Sequence, residues 1–315
     1  MDPSTTSTDF GVERACPEVT VIIPSFNYRD YIEQALESVL KQTFKNYEVI
    51  VVDDGSNDGS YEFLKTQYAA KGRIKLICHE NHKNLGLSKS LELGLSRAEG
   101  DWIAILECDD MWEPDCLERR VAAVQKSASI YFCSNKIRIL RIDEASGWLD
   151  DYVLRVQSKL SLRQKEKTTC GFKVGNEIYY ENLFPTFSCM FFKKDALKRL
   201  NFSSPVTSWL DWYLYIQLTK VGDCCFLDEP LTLWRIHKDS QNSKNGVIRY
   251  LSDFYKFRKA IFKQITEDRE LEVSLSSRFF FLFLFESVRY RLIEQGKQIG
   301  FFNLFKQVLR RFYGK

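Results

Sequence analysis

The chain has no stretch of about 20 uninterrupted apolar residues, the length a membrane-crossing helix needs. Its run Phe279–Phe285 stops at seven. No G-x-G-x-x-G turn follows the first β-type run, where Pro24-Ser25-Phe26-Asn27 stands instead, and no G-x-x-x-x-G-K-[ST] occurs. Those absences disfavour a dinucleotide-binding domain and a P-loop nucleotide hydrolase, which cradle phosphate in glycine-rich backbone. They equally disfavour a pyrophosphorylase built on such a turn. The nine cysteines are odd in number and lack C-x-x-C spacing, which excludes a disulfide framework or a zinc site. They read as reduced thiols, Cys224 and Cys225 among them, and so imply a cytoplasmic setting. A net charge of +3 is too small to argue for nucleic acid as a partner. Residues 1–16, rich in Ser and Thr, carry no apolar segment of a signal peptide and read as a flexible tail.

What is present is a sizeable core. The chain is 44% hydrophobic and 14% aromatic over 315 residues, enough for one large or two small domains. Val19–Ile23 and Tyr47–Val52 are β-branched runs of the kind buried on both faces of a parallel sheet. Ile74–Cys78 and Trp102–Leu106 read as two further strands. Between them lie helical patterns at Tyr31–Leu40, with Asp30 and Glu33 as an expected capping box, and at Leu87–Ala98. Short strands alternating with helices predict an α/β fold with a mostly parallel, doubly wound sheet. Ligands of such sheets bind beyond the carboxyl ends of the strands.

The unusual residues fall at those ends. Phe26 follows the first strand, and Asp53-Asp54 close the second. The fourth runs into Glu107-Cys108-Asp109-Asp110. Three carboxylates in four residues repel one another unless a cation lies between them. Mg2+ or Mn2+ is suited to that position, held by one or two carboxylates with substrate phosphates completing its shell. The plainer reading is a solvated acidic turn capping the helix after Pro114.

VTVIIPSFNYRDYIEQALESVLKQTF, YEVIVVDDGSNDGS, NLGLSKSLELGLSRAEGDWIAILECDD, WLDWYLYIQL and LTLWRIHKDSQN, over roughly residues 17–242, resemble the inverting family 2 glycosyltransferases of the GT-A fold. The resemblance implies a catalytic domain over 17–245, with a nucleotide-binding half at 17–110 and an acceptor half at 111–245. It implies Phe26 stacking on uracil, Asp54 hydrogen-bonding the uracil edge, and Pro24, Ser25 and Asp53 lining that site. The acidic run matches the D-x-D motif, with Asp109 and Asp110 as the expected direct ligands of Mn2+ or Mg2+. Asp109 is expected at the nucleotide as well. Glu107, with its longer arm, is suited to an outer position. Arg235-x-His237 matches a late R-x-H, which makes His237 a candidate for the metal or the diphosphate. Asp211, between Trp209 and Trp212, is the expected general base, with a pKa raised by its apolar neighbours. The activity implied is transfer from a UDP-sugar to a hydroxyl of a glycan or lipid-linked acceptor.

Some residues depart from the family pattern. Leu91 and Glu92 stand where an Arg-Asn pair is usual, so Lys89 or Lys83 is expected to face the diphosphate instead. Leu210 precedes Asp211 where Glu is usual. These departures support an alternative, a degenerate member that binds nucleotide or a partner without turnover. Residues 136–185 carry no readable motif; Ser188–Phe192 reads as a strand and Asp195–Leu200 as a short helix. His79 and His82 read as structural. Residues 246–315 form an expected basic, aromatic helical extension. From Arg249 onward 14 Lys and Arg face seven Asp and Glu, a net +7. Phe301, Phe302, Leu304, Phe305, Val308, Leu309 and Phe312 recur at helical spacing there. Packing on the catalytic domain, a homodimer and a peripheral position on an anionic inner membrane face all remain open.

Overall fold

The structure, a computed structural model, describes residues 16–142, 148–166, 171–179, 181–199, 209–237, 256–257 and 260–261. Residues 1–15 of the tail, and the extension apart from those four residues, lie outside the described residues.

The strands are β1 (Val19–Ser25), β2 (Tyr47–Asp53), β3 (Lys75–Cys78), β4 (Trp102–Ile105), β5 (Met111–Trp112), β6 (Ile130–Arg141), β7 (Phe191–Lys193) and β8 (Asp223–Ile236). The helices are α1 (Arg29–Leu40), α2 (Ser60–Gln67), α3 (Leu87–Arg97), α4 (Cys116–Val124), α5 (Trp148–Glu166) and α6 (Leu210–Thr219). One eight-stranded sheet runs in the order β3-β2-β1-β4-β7-β6-β8-β5. The β3, β2, β1 and β4 pairings are parallel, as the alternation predicts. The second half is mixed: β4–β7, β6–β7 and β5–β8 are antiparallel and β6–β8 is parallel.

Alternate residues of β1 serve opposite layers. Val19, Val21 and Ile23 pack with α1 and α4 residues such as Ile32, Leu36, Leu117 and Val121. Ile22 faces Leu91 and Leu95 of α3 in the other core layer, which also holds α5 and α6 residues. A strand covered on both faces must be largely apolar, which is why VTVII reads as it does; its buried Thr20 hydroxyl donates to Glu48 at 2.6 Å. Growth of the sheet reverses at β1, which has β2 on one side and β4 on the other, so a crevice opens beyond their carboxyl ends.

Several local expectations change. The capping box does not form: α1 begins at Arg29, Tyr28 is the N-cap, and there is no side-chain cap. Asp58, from the loop after β2, takes the Arg29 N–H instead, at 2.9 Å. Ser188 lies on a 3-10 turn, Phe187–Cys189, and not on a strand, because the Thr186 side chain caps that turn. The short helix expected after it is also 3-10, Lys194–Lys198. α6 is apolar all round, with Trp212 to Leu218 buried, as befits a helix enclosed by sheet and loops. At the start of the extension, Phe257 and Ile261 are buried in the core layer that holds α6. The Phe257 ring lies 4.8 Å from that of Trp212. Among the described residues no helix is long and apolar enough to cross a membrane.

Candidate active site

The loops that follow β1 and β2 are tied together. Asn27, in the left-handed region at φ 57, accepts the Asn57 N–H at 2.8 Å and donates its own N–H to Ser56 Oγ at 2.9 Å. Phe26, 39% exposed at the rim, is one of the few large apolar side chains left open to solvent. Pro24 is buried within β1. Ser25 and Asp53 are register partners at the two strand ends. Asp53 Oδ1 takes the N–H groups of Gly55 and Ser56. Asp53 Oδ2 and Ser25 Oγ are buried and have no hydrogen-bond partner among the described residues. Two adjacent orphans of this kind call for a ligand or water, since a buried unpaired polar group is costly.

Asp54 is occupied differently. Its oxygens accept the N–H groups of Leu85 at 2.8 Å and Gly86 at 2.9 Å, latching the start of α3 onto the end of β2. His79 belongs to the same latch, with Nε2 3.4 Å from Asp54 Oδ1 and 3.0 Å from Ser90 Oγ. Gly55 makes the close approach feasible: its φ is +80, and a Cβ there would lie 2.4 Å from the His82 carbonyl oxygen. Both Asp54 oxygens thus already accept backbone N–H groups, whereas Asp53 Oδ2 has no partner among the described residues.

The acidic strand end divides three ways. Asp110 is fully buried. Its Oδ2 accepts the Ser188 hydroxyl at 2.5 Å, and its Oδ1 the Arg235 backbone N–H at 2.9 Å. Burial and the charges of Asp109 and Glu107 hold its pKa well above the usual carboxylate range. Such a group braces the turn, with one hydrogen bond accepted at each oxygen. Glu107 is partly buried and accepts the Thr186 hydroxyl at 2.5 Å. Burial first, then Asp109, push its pKa up to about 8. Asp109 is the carboxylate that remains presented. Its side chain is 16% exposed, and His237 Nε2 lies 3.1 Å from its Oδ2. His237 is buried against Tyr31, ring centroids 4.3 Å apart. Beside it the Arg235 guanidinium lies over the same Tyr31 ring and donates to Gln34.

Asp211 sits in the first turn of α6, after Trp209 in the left-handed region at φ 63. Burial raises its pKa to about 6, against the opposing hydrogen bonds from the Trp212 backbone and the Asn182 side chain. Asn182 Nδ2 donates to Asp211 Oδ2 at 3.2 Å, while Asn182 Oδ1 accepts the Phe184 N–H. The Asp211 charge contributes to raising the Glu107 pKa, so the two carboxyls lie within electrostatic reach of each other. Lys89 is not brought there. Its ammonium pairs with Glu92 at 2.6 Å on the exposed side of α3, and Leu91 is wholly buried in the core. Lys83 is exposed on the loop before α3. The sequence reading missed Asn182, Thr186, Ser188 and Arg120. The first three lie in or beside a motif-less stretch, and the last looks like any helix-surface arginine.

The donors present fit a hard divalent cation: a carboxylate oxygen of Asp109 beside the His237 imidazole, with Glu107 behind. No group of three or more His, Cys, Asp or Glu converges into a complete cage among the described residues. A cation here would share its shell with ligand phosphates and water, as Mg2+ commonly does.

A doubly wound half-sheet with its polar residues at the strand ends, joined to a mixed half that carries a buried aspartate, is the layout of the GT-A glycosyltransferases. Among solved structures, Staphylococcus aureus TarS 1–349 in complex with UDP-GlcNAc matches with a TM-score of 0.62 at 20% identity, over 87% of this chain and 72% of that one. The mannosyltransferase PcManGT from Pyrobaculum calidifontis, in complex with GDP-Man and Mn2+, matches with a TM-score of 0.57 at 20% identity, over 89% and 71%. The model of glycosyl transferase family 2 matches residues 20–200, and the chain belongs to that family. A Nostoc sp. glycosyltransferase described as uncharacterised is 29% identical over 223 residues, 70% of this chain and 65% of its own. The putative teichuronic acid biosynthesis glycosyltransferase TuaG of Bacillus subtilis is 40% identical over 105 residues, 33% of this chain and 41% of its own. The matches thus span less than two thirds of either relative.

Proposed function

We propose that the protein is a metal-dependent inverting glycosyltransferase that moves a sugar from a UDP-sugar to a hydroxyl of a glycan or lipid-linked acceptor. The observation that carries this reading is Asp211, a carboxylate raised to about 6 by burial and held by Asn182 in the same region as the acidic strand end. That pKa suits a base working near neutral pH.

The uracil ring would stack on Phe26, and Asp53 Oδ2 would accept its N–H beside Ser25. Asp109 and His237 would hold the cation, with Glu107 outside them. A divalent cation bound there supplies charge neutralisation for the departing diphosphate. Asp211 takes the proton of the acceptor hydroxyl as its oxygen forms a bond to the anomeric carbon. The bond from that carbon to the UDP oxygen breaks on the opposite face, and the electron pair leaves with UDP. The sugar is inverted in one displacement, and Asp211 then releases its proton to solvent.

UDP in the TarS complex and GDP-Man in the mannosyltransferase complex make nucleotide choice the first experiment. Purified protein is incubated with UDP-GlcNAc, UDP-Glc, UDP-Gal or GDP-Man in Mn2+, Mg2+ or EDTA, and nucleotide release is followed. Release from a UDP-sugar with either cation, and not in EDTA, is expected. Binding without release from any donor would favour the second reading, nucleotide capture without turnover, for which the Lys89–Glu92 pair and buried Leu91 speak.

A further inference from the structure

The 3-10 turn Phe187–Cys189, contributed by the acceptor half, reaches the acidic strand end through two hydroxyls. A hydroxyl has one proton to give and two lone pairs to accept with. Thr186 gives its proton to Glu107 Oε2 at 2.5 Å, lies 3.3 Å from Asp110 Oδ2, and accepts the Ser188 N–H at 3.1 Å. Ser188 gives its proton to Asp110 Oδ2 at 2.5 Å and accepts the Glu107 N–H at 3.1 Å. The Asp110 N–H closes the ring on the Glu107 carbonyl at 3.0 Å. Both hydroxyl residues are buried.

The far side of the turn is held as firmly. The Ser188 carbonyl accepts from Trp112 Nε1 at 2.7 Å and from the Arg120 guanidinium at 2.8 Å. Arg120 is fully buried, and its other hydrogen bonds go to the neutral groups of Asn135 and Thr232. A buried arginine without a carboxylate in hydrogen-bond contact is unusual. Here its charge lies across Ser188 from Asp110.

We propose that Thr186 and Ser188 are positioning residues: they hold Glu107 and Asp110 in place and so leave Asp109 as the carboxylate aimed at a cation and the donor diphosphate. This rests on the reading of Asp109 and His237 as the cation-facing pair. Capping the 3-10 turn needs only the Thr186 lone pair; the proton spent on Glu107 is the feature that a cap does not require. Partners behind first-sphere ligands commonly contribute 10–100-fold to metal affinity.

The test is calorimetry of UDP binding to the full chain in MnCl2 and in EDTA. Thr186→Val and Ser188→Ala are each expected to weaken Mn2+-dependent UDP binding by about 10–100-fold. Their affinity in EDTA should stay within about twofold of wild type, and Thr186→Ser should restore the Mn2+ dependence. Wild-type binding of UDP with Mn2+ in both Thr186→Val and Ser188→Ala would overturn the proposal. Equal losses with and without Mn2+, or unfolding of both variants, would reduce the turn to a structural role and also overturn it. Asp109→Ala separates the two levels. Mn2+ dependence lost in that variant but intact in Thr186→Val and Ser188→Ala defeats this proposal alone. Wild type with no Mn2+ dependence defeats the cation reading and this proposal with it.

Discussion

Replacing Asp211 by Asn should make the protein more stable at neutral pH while removing its activity. Folding raises the Asp211 pKa from 3.8 to about 6, so the fold favours the protonated carboxyl. Its stabilising share is complete below about 3.8 and is lost as pH rises through about 6. Above that, ionised Asp211 costs the native state about 3 kcal/mol at most. The side chain is partly exposed, and solvent screening brings the figure to roughly 1–2 kcal/mol. Asparagine has nearly the same shape, keeps an oxygen to accept from Asn182, and never ionises. At pH 7.5 the variant should melt about 2–8 °C higher, at roughly 2–4 °C per kcal/mol for a domain of this size. The gain should fall to roughly half at pH 5 and vanish only below about 3.8. Sugar transfer should fall by roughly 10²–10⁴-fold, the usual contribution of general-base help. Thermal melts of both proteins between pH 5 and 8 provide the check. A variant less stable than wild type at pH 7.5, or a gain that does not change with pH, would refute the assignment of a base whose pKa the fold raises.

Asp109→Ala should remove Mn2+-dependent UDP binding and leave the melting temperature nearly unchanged. Asp110→Ala should instead destabilise the fold by about 1–3 kcal/mol, because the Ser188 hydroxyl and Arg235 N–H lose a buried acceptor; urea titration of the two variants ranks them. Phe26→Ala should weaken UDP binding by about 0.5–1.5 kcal/mol if its exposed ring is the stacking face, as titration calorimetry will measure. Gly55→Ala places a methyl 2.4 Å from the His82 carbonyl at a φ of +80. It should loosen the latch between β2 and α3, lowering both melting temperature and UDP affinity. For residues 246–315, co-sedimentation with anionic liposomes at low salt compares the full chain with one ending at Gly296. Loss of binding on truncation is expected if the last helix docks on lipid, and no change would exclude that role.

The parallel half of the sheet was legible because local pattern and tertiary role coincide there. Val19–Ile23 and Tyr47–Val52 are mostly apolar because helices cover both faces, and their polar residues Thr20 and Glu48 bond to each other. α6 was not read as a helix, because its residues are buried all round and carry no polar face to mark the period. α5 was not either, since Val153, Val156 and Leu160 are diluted by the charged residues that pair with Glu181 and Glu177. At the site, the sequence brings Glu107, Asp109 and Asp110 together but does not say which way each one faces. That depends on the tight turn after β4 and on donors far along the chain. Thr186 reaches Glu107 across 79 positions, and His237 reaches Asp109 across 128. The different hydrogen-bonding of Asp53 and Asp54 was hidden likewise, because it is set by the Leu85 and Gly86 N–H groups.

The central claim is inversion at the anomeric carbon with Asp211 as base. Proton NMR of the first sugar released when the protein, with Mn2+, hydrolyses a UDP-α-sugar tests it most directly, before mutarotation mixes the anomers. The account predicts the β anomer first, and release slowed by at least about 10²-fold in Asp211→Asn. The α anomer first, or an Asp211→Asn variant that releases sugar at the wild-type rate, would contradict it.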